Sequence, residues 1–377
     1  MEQNNIRFRS EKSRTHRIFV AGLAVMAILC LYVLISSAGS AGSYEIESQI
    51  AGGIDTAAGY KIMPEGMIRY SKDGASMTHK NGEVIWNKAY NMASPICKTN
   101  GLYAVVAEFD GNAVYVFDGQ DQCGEMDTAL TIQDVVISSQ GVVAAMLSDH
   151  NGNMIKLYDK TGTKELAEIK ASMEVTGYPL AMALADDASH LVVSYITIGS
   201  GQLSTNLAFY DFTNVNGTQE MGSIQVPGLI ARLVFLDQTR VMAVGENGFY
   251  IYSIGDKVEE AANVTFESEI AGYFNGGQKS GFLFRSSEEG ARYQCRIYDL
   301  TGNVTAQFPI DMEYDDISVC DYQVIFYDGH EMAFYDFSGK LEFAGTFEQN
   351  VYDVMPSWDS GWYWVVGDNA LSEIRIK

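Results

Sequence analysis

Residues able to do chemistry are present in this chain, but they do not fall into known constellations. Its 377 residues include five histidines (His16, His79, His150, His190 and His330) and five cysteines. His330-Glu331 opens a stretch, His-Glu-Met-Ala-Phe, that lacks the second histidine a zinc-protease helix needs four residues on. No Gly-x-Ser-x-Gly occurs, so the nucleophile turn of the α/β-hydrolases is missing. Gly199-Ser-Gly201 follows a strand-like run with no helical pattern behind it, which argues against a phosphate cradle at a helix start. Asp149-His-Asn-Gly-Asn153 has the look of a calcium loop, yet its twelfth position is Lys160, where a carboxylate is required. The acidic group Asp311, Glu313, Asp315 and Asp316 reads as a solvated loop. No catalytic residue, cofactor site or metal site is therefore expected.

Aromatic residues give the better binding signal. Trp358, Trp362, Tyr363 and Trp364 crowd into one short stretch near the carboxyl end. Trp362 and Trp364, two apart, share one face of a strand and are expected to pack as core. Trp358 and Tyr363 remain as ligand-binding candidates, since flat aromatic surfaces suit sugars and peptides.

The charge pattern restricts partners. Twenty-five basic residues against 48 acidic ones leave a net charge of −23, which argues against binding nucleic acid through its phosphates. Residues 1–17 run the other way, with Arg7, Arg9, Lys12, Arg14 and Arg17 against Glu2 and Glu11. Behind this basic tail comes Ile18–Ile35, an uncharged apolar run that rises roughly 27 Å as a helix. The run is extended by small residues to 38, and a hydrocarbon layer is about 30 Å thick. A basic flank before an apolar span keeps the amino terminus cytoplasmic. The expectation is a basic cytoplasmic tail at 1–17, a transmembrane signal-anchor at 18–38, a flexible linker at 39–43 and an extracytoplasmic domain at 44–377. The alternative is a cleaved signal peptide, whose apolar region usually spans about 7–15 residues. Cys30 lies in the apolar run. Cys97, Cys123, Cys295 and Cys320 are expected to sit too far apart for bridges.

What must position any site is a repeat. A short phrase recurs as Val114-Tyr-Val-Phe-Asp118, Ile155-Lys-Leu-Tyr-Asp159, Leu207-Ala-Phe-Tyr-Asp211, Phe249-Tyr-Ile-Tyr-Ser253, Cys295-Arg-Ile-Tyr-Asp299 and Met332-Ala-Phe-Tyr-Asp336. A degenerate copy ends at His79. Successive anchor positions are 39, 41, 52, 42, 46 and 37 residues apart, a spacing of about 43 that matches a four-stranded propeller blade. Alternating apolar residues make a strand, the Asp opens a turn, and a Gly or Asn three residues later tolerates positive φ.

The end units do not match. Val351–Met355, Trp362–Val366 and Leu371–Lys377 supply only three strands. Ser43–Ile50 alternates like an outer strand and is available to complete that unit, removing an open seam. The predicted fold is all-β: an eight-bladed propeller closed by its amino-terminal strand. Seven blades, with 43–75 as an extension, is the alternative.

The segment Lys80-Asn-Gly-Glu-Val-Ile-Trp86 carries the turn, strand and Trp of quinoprotein-type propellers, a family that this repeat region resembles. That family includes pyrroloquinoline-quinone enzymes and the propeller lipoprotein of the outer-membrane barrel assembly machinery. The chain is also similar to an uncharacterised group of bacterial proteins with one amino-terminal anchor and an extracytoplasmic propeller. The Trp survives in one blade, and the Cys-Cys pair common in the quinone enzymes is missing. No cofactor is therefore expected. The resemblance implies a fold and a placement at the cell membrane. It does not imply an activity; placement together with a ring that positions loops on one face gives the expected role, a binding or scaffolding module for protein or envelope ligands, glycans included, held to the lipid bilayer by its helix. The rival is an extracytoplasmic enzyme acting on glycans at the central channel.

Overall fold

A computed structural model describes residues 42–51, 57–149, 152–172, 176–199, 201–213, 218–276, 278–320 and 322–377. The expected cytoplasmic tail and membrane helix lie outside the described residues. Among the described residues no helix is long and apolar enough to cross a membrane.

The described residues form 32 strands, β1–β32 in chain order, arranged as eight four-stranded sheets. Seven sheets are antiparallel meanders of consecutive strands: β2–β5 (59–89), β6–β9 (95–127), β10–β13 (131–171), β14–β17 (178–227), β18–β21 (230–265), β22–β25 (270–310) and β26–β29 (316–346). They are numbered here as blades 1 to 7. Blade 8 is composite, with order β1-β32-β31-β30. It joins β30 (Asp353–Pro356), β31 (Trp362–Val366) and β32 (Ala370–Ile376) to β1 (Tyr44–Ala51) from the other end of the chain.

The closure is antiparallel and runs from Tyr44 opposite Ile376 to Ala51 opposite Ala370. The Lys377 amide donates to the Ser43 carbonyl at 2.8 Å, and the Lys377 ammonium pairs with Glu45. Ser48 donates to Glu373 and Gln49 to Ser372, both at 3.1 Å. The Tyr44 ring packs on Phe343 and Phe347 of blade 7, with centroids 6.0 and 5.4 Å away. Each half of blade 8 lacks the strands for a full blade, so the pairing satisfies edges that would otherwise be open. The seven-bladed alternative is excluded, because 59–78 supply three strands of blade 1 and are not an extension.

Separate apolar clusters fill the spaces between successive blades. Both faces of a blade are therefore buried, which adds to the period-two reading of the phrase. Val114 and Val116 enter the cluster between blades 2 and 3, while Phe117 enters the one between blades 1 and 2.

The aspartate turns form as the phrase predicts. The Asp299 carboxylate accepts the amides of Thr301 and Asn303 at 2.8 and 3.0 Å, and Asp336 accepts those of Ser338 and Lys340 at 2.8 and 2.9 Å. Gly302 and Gly339 then take φ of 79° and 90°, which a side chain would strain. One regularity was not anticipated. In each of blades 1 to 7 the pairing of third and fourth strands shifts register just before the turn, as at Leu157/Tyr158 and Ile297/Tyr298. Such a bulge increases local twist and swings the outer strand round the rim.

Candidate functional site

The innermost strand of each blade faces a central channel, and consecutive inner strands lie side by side around it. These strands place charge where the rest of the ring has apolar core. Lys61 comes from β2 (Gly59–Met63), Lys98 from β6 (Pro95–Asn100), Asp134 from β10 (Thr131–Ile137), Arg232 from β18 (Ile230–Phe235) and Asp353 from β30. A cavity of about 840 Å³ opens between Lys98, Asp134, Asp186, Arg232, Tyr273 and Asn275. An adjoining one of about 540 Å³ reaches Lys61 and Gln133 and shares Lys98 and Asp134.

Charges in the channel reach from one blade to the next. Burial pushes the Asp134 carboxyl above the usual carboxylate range, against the opposing pull of Lys98 and the Val135 amide. Asp353 is raised in the same way by burial, with Lys61 pulling it down. The Arg232 guanidinium lies 5.9 Å from the centroid of the Tyr273 ring. At one end of the channel Asn100 donates to Asp186 at 2.7 Å and to the Ile137 carbonyl at 3.2 Å, tying blades 2, 3 and 4 together. Burial pushes the Cys97 thiol up to about 12, so it stays a neutral wall group. Among the described residues no group of three or more His, Cys, Asp or Glu side chains is placed to hold a metal ion. Asp134 and Asp353 stand on blades 3 and 8, each with a lysine whose charge opposes the effect of burial. Such a lining suits binding an anionic or mixed-charge group.

The aromatic candidates are not brought together. Tyr363 is 3% exposed and lies in the cluster between blades 7 and 8. There its ring meets Phe334 edge-on at 4.9 Å, and its hydroxyl donates to Gln323. Trp358 is half-buried and lies on the other side of blade 8, against blade 1. Its indole donates to the Met63 carbonyl at 2.8 Å, and its ring meets Trp364 edge-on at 6.2 Å. The Lys80 ammonium lies 5.2 Å from that ring's centroid. Trp364 is core, as expected, whereas Trp362 is half-buried beneath the Arg375 guanidinium. The acidic group disperses: Glu313 pairs with Arg292 at 2.9 Å and accepts from Tyr293, and Asp316 accepts the Ile317 amide.

The channel residues were missed by sequence reasoning. A usable signal exists, because aligning the inner strands of the repeat puts Lys61, Lys98, Asp134 and Arg232 close to one level. Strand alternation by itself marks only the apolar positions of these inner strands.

Known proteins resemble this chain in fold. BamB from Moraxella catarrhalis superposes with a TM-score of 0.55 at 13% identity, covering 88% of this chain and all of that one. A structure of the eukaryotic initiation factor gives 0.57 at 11% identity, covering 90% of this chain and 88% of the other. No curated protein matches. Residues 39–376, nearly the whole ring included, match the family described as a family of unknown function, DUF5711, and the chain belongs to that family.

Proposed function

We propose that this protein is a membrane-anchored, extracytoplasmic binding or scaffolding module: a single helix at 18–38 holds it in the bilayer with its amino terminus cytoplasmic, and the propeller presents loops to protein or envelope ligands. The basic flank and apolar run of the sequence support the anchor. The binding role rests on one observation, an apolar pair on a long hairpin. Strands β15 (His190–Gly199) and β16 (Gln202–Asp211) of blade 4 are 10 residues each, the longest in the described ring. Ile198 and Leu203 pair across them and are 78% and 45% exposed. An exposed apolar pair at the end of a long hairpin gains by being covered.

Its direction fits the reading. β1 and β31 both run antiparallel to β32, so the chain enters blade 8 on the face where β31 begins. The β15–β16 turn lies at the opposite face, four blades away in a ring of eight. A helix leading into β1 would thus leave the hairpin facing away from its point of attachment. The enzyme reading would draw on carboxylates in the channel: Asp134 and Asp353 are three blades apart, and the Asp316 carboxylate on blade 7 adds to burial in raising Asp353.

The test is a photo-crosslinker placed at Leu203 in the full chain in its own cells. The reading expects a reproducible protein adduct that disappears with Ile198→Asp, and none from a crosslinker at exposed Thr301. Equal labelling from both positions contradicts it. Protease treatment of intact spheroplasts tests the placement: the ring should be cut or shed from outside, and full protection would overturn the topology.

A further inference from the structure

The interface between blades 8 and 1 is incompletely filled. A cleft of about 160 Å³ lies there, with Ile50, Met67, Lys80, Trp358, Trp364 and Leu371 among its lining residues. Its construction follows from strand alternation. Met67 and Arg69 are two apart on β3 (Gly66–Ser71), and Ser76 and Thr78 are two apart on β4 (Gly74–Thr78), so one face of blade 1 supplies all four. Across from them blade 8 supplies Trp364 and Leu371, and the closing strand adds Ile50.

Two properties fix the chemistry of an occupant. The inner walls are apolar and aromatic: Tyr60, Met67, Trp364 and Leu371 belong to one cluster, with Trp358 packed against it. A dry cavity of about 150 Å³ takes a single benzene ring, so this volume suits one ring or a branched chain of that size. The charge is one-sided. Lys80 lines the cleft beside His79, and no Asp or Glu is among the described residues that line it, although the chain as a whole carries −23. Lys80 is exposed and lies over the Trp358 ring, holding an ammonium next to the apolar wall. Ser76 and Thr78 offer hydroxyls on the same face.

We infer that this cleft is a binding site for a small apolar ring bearing a carboxylate, the ring seated against Trp358, Met67 and Leu371 and the carboxylate held by Lys80. The acid arises either as a free aromatic acid or as the carboxyl-terminal residue of a partner chain. The site does not depend on the proposed membrane placement or on the hairpin of blade 4. Because Ile50 and Leu371 belong to the paired closing strands, an occupant also ties the two ends of the chain to blade 1.

The experiment uses the full chain in detergent with phenylacetate as probe, 2-phenylethanol as its neutral counterpart and phenethylamine as its cationic one. Binding is read by tryptophan fluorescence and by the melting temperature. Phenylacetate should bind saturably at millimolar concentration and raise the melting temperature. The alcohol should bind about tenfold more weakly, and the amine more weakly still. Lys80→Gln should cost about tenfold in affinity at an unchanged melting temperature of the free protein, with Lys80→Arg restoring it. No saturation by about 50 mM phenylacetate, equal binding of acid and amine, or unchanged affinity in Lys80→Gln would overturn the assignment. A peptide ending in Phe, compared with its carboxyl-amide, separates the two sources: a tighter peptide points to a partner's terminus, and a tighter free acid to a metabolite.

Discussion

Two interfaces of one ring show how the same blade can be packed fully or sparingly. Between blades 3 and 4, the buried cluster runs from Ala144 and Met146 through Ile155, Leu157, Leu191 and Val193 to Tyr195 and Tyr210. Among the described residues, the interface between blades 8 and 1 buries the smaller cluster of Ala58, Tyr60, Met67, Met355, Trp364, Val366 and Leu371, and it leaves the cleft open. Blades 3 and 4 are each continuous in the chain, so neighbouring strands find one another locally. Blade 8 is assembled from the two ends of the described chain, and loop closure over some 330 residues costs entropy that its own pairing must offset. The closing region relies on backbone ladder, polar pairs and the Trp358 clasp onto Met63, where the continuous region relies on apolar fill.

The comparison can be broken most severely by removing β1. Deleting 44–51 from the full chain strips the seven paired positions of the seam and exposes the Ile374 edge. The expected loss is on the order of 5 kcal/mol or more, seen as a collapse of the cooperative melt, whereas an equal deletion within residues 1–17 should leave the melt unchanged. Truncating one leucine at each interface comes next. Leu191→Ala, in the filled interface, should cost about 4 kcal/mol, and Leu371→Ala, beside the cleft, about 2 kcal/mol, by denaturant titration. Equal costs would show that the cleft closes in solution.

A smaller effect separates the turns. Asp299→Ala removes amide bonds in a continuous blade and should cost about 1 kcal/mol, since the group is near solvent. Hydrogen bonds from Thr301 and Asn303 hold the Asp299 carboxyl below its usual range despite the opposing effect of burial. That stability is therefore present above about pH 4 and lost as the pH falls through the folded-state value. The channel carboxyls have the opposite sign. Asp134 and Asp353 are raised by burial, so the unfolded chain ionises first and stability falls as pH rises above about 4. Asp134→Asn and Asp353→Asn should each melt higher than the parent at pH 7 and level with it below about pH 3.5. A lower melt at pH 7 would mean that Lys98 and Lys61 outweigh burial.

How much of this was legible depends on the range of the physics involved. The phrase ending at Asp118, Asp159, Asp299 or Asp336 combines period-two burial with a local turn, and both follow from a few neighbouring residues. Closure by 43–50 was legible because a three-stranded remainder needed a partner. The register shifts at Leu157/Tyr158 and its equivalents carry no composition signal, since the extra residue differs from blade to blade. Tyr363 and Trp358 looked alike as aromatic candidates, because alternation says that two residues share or oppose a face but not what covers each face. Lys61, Lys98 and Arg232 meet only once the ring exists.

Hydrogen exchange along 44–51 in the full chain tests the closure most directly. If β1 is paired with β32, roughly half of its amides, those facing the partner strand, should be protected for as long as those of β11 (Val143–Asp149) in blade 3. If every amide of 44–51 exchanges within seconds while β11 stays protected, the ring is not closed by this strand.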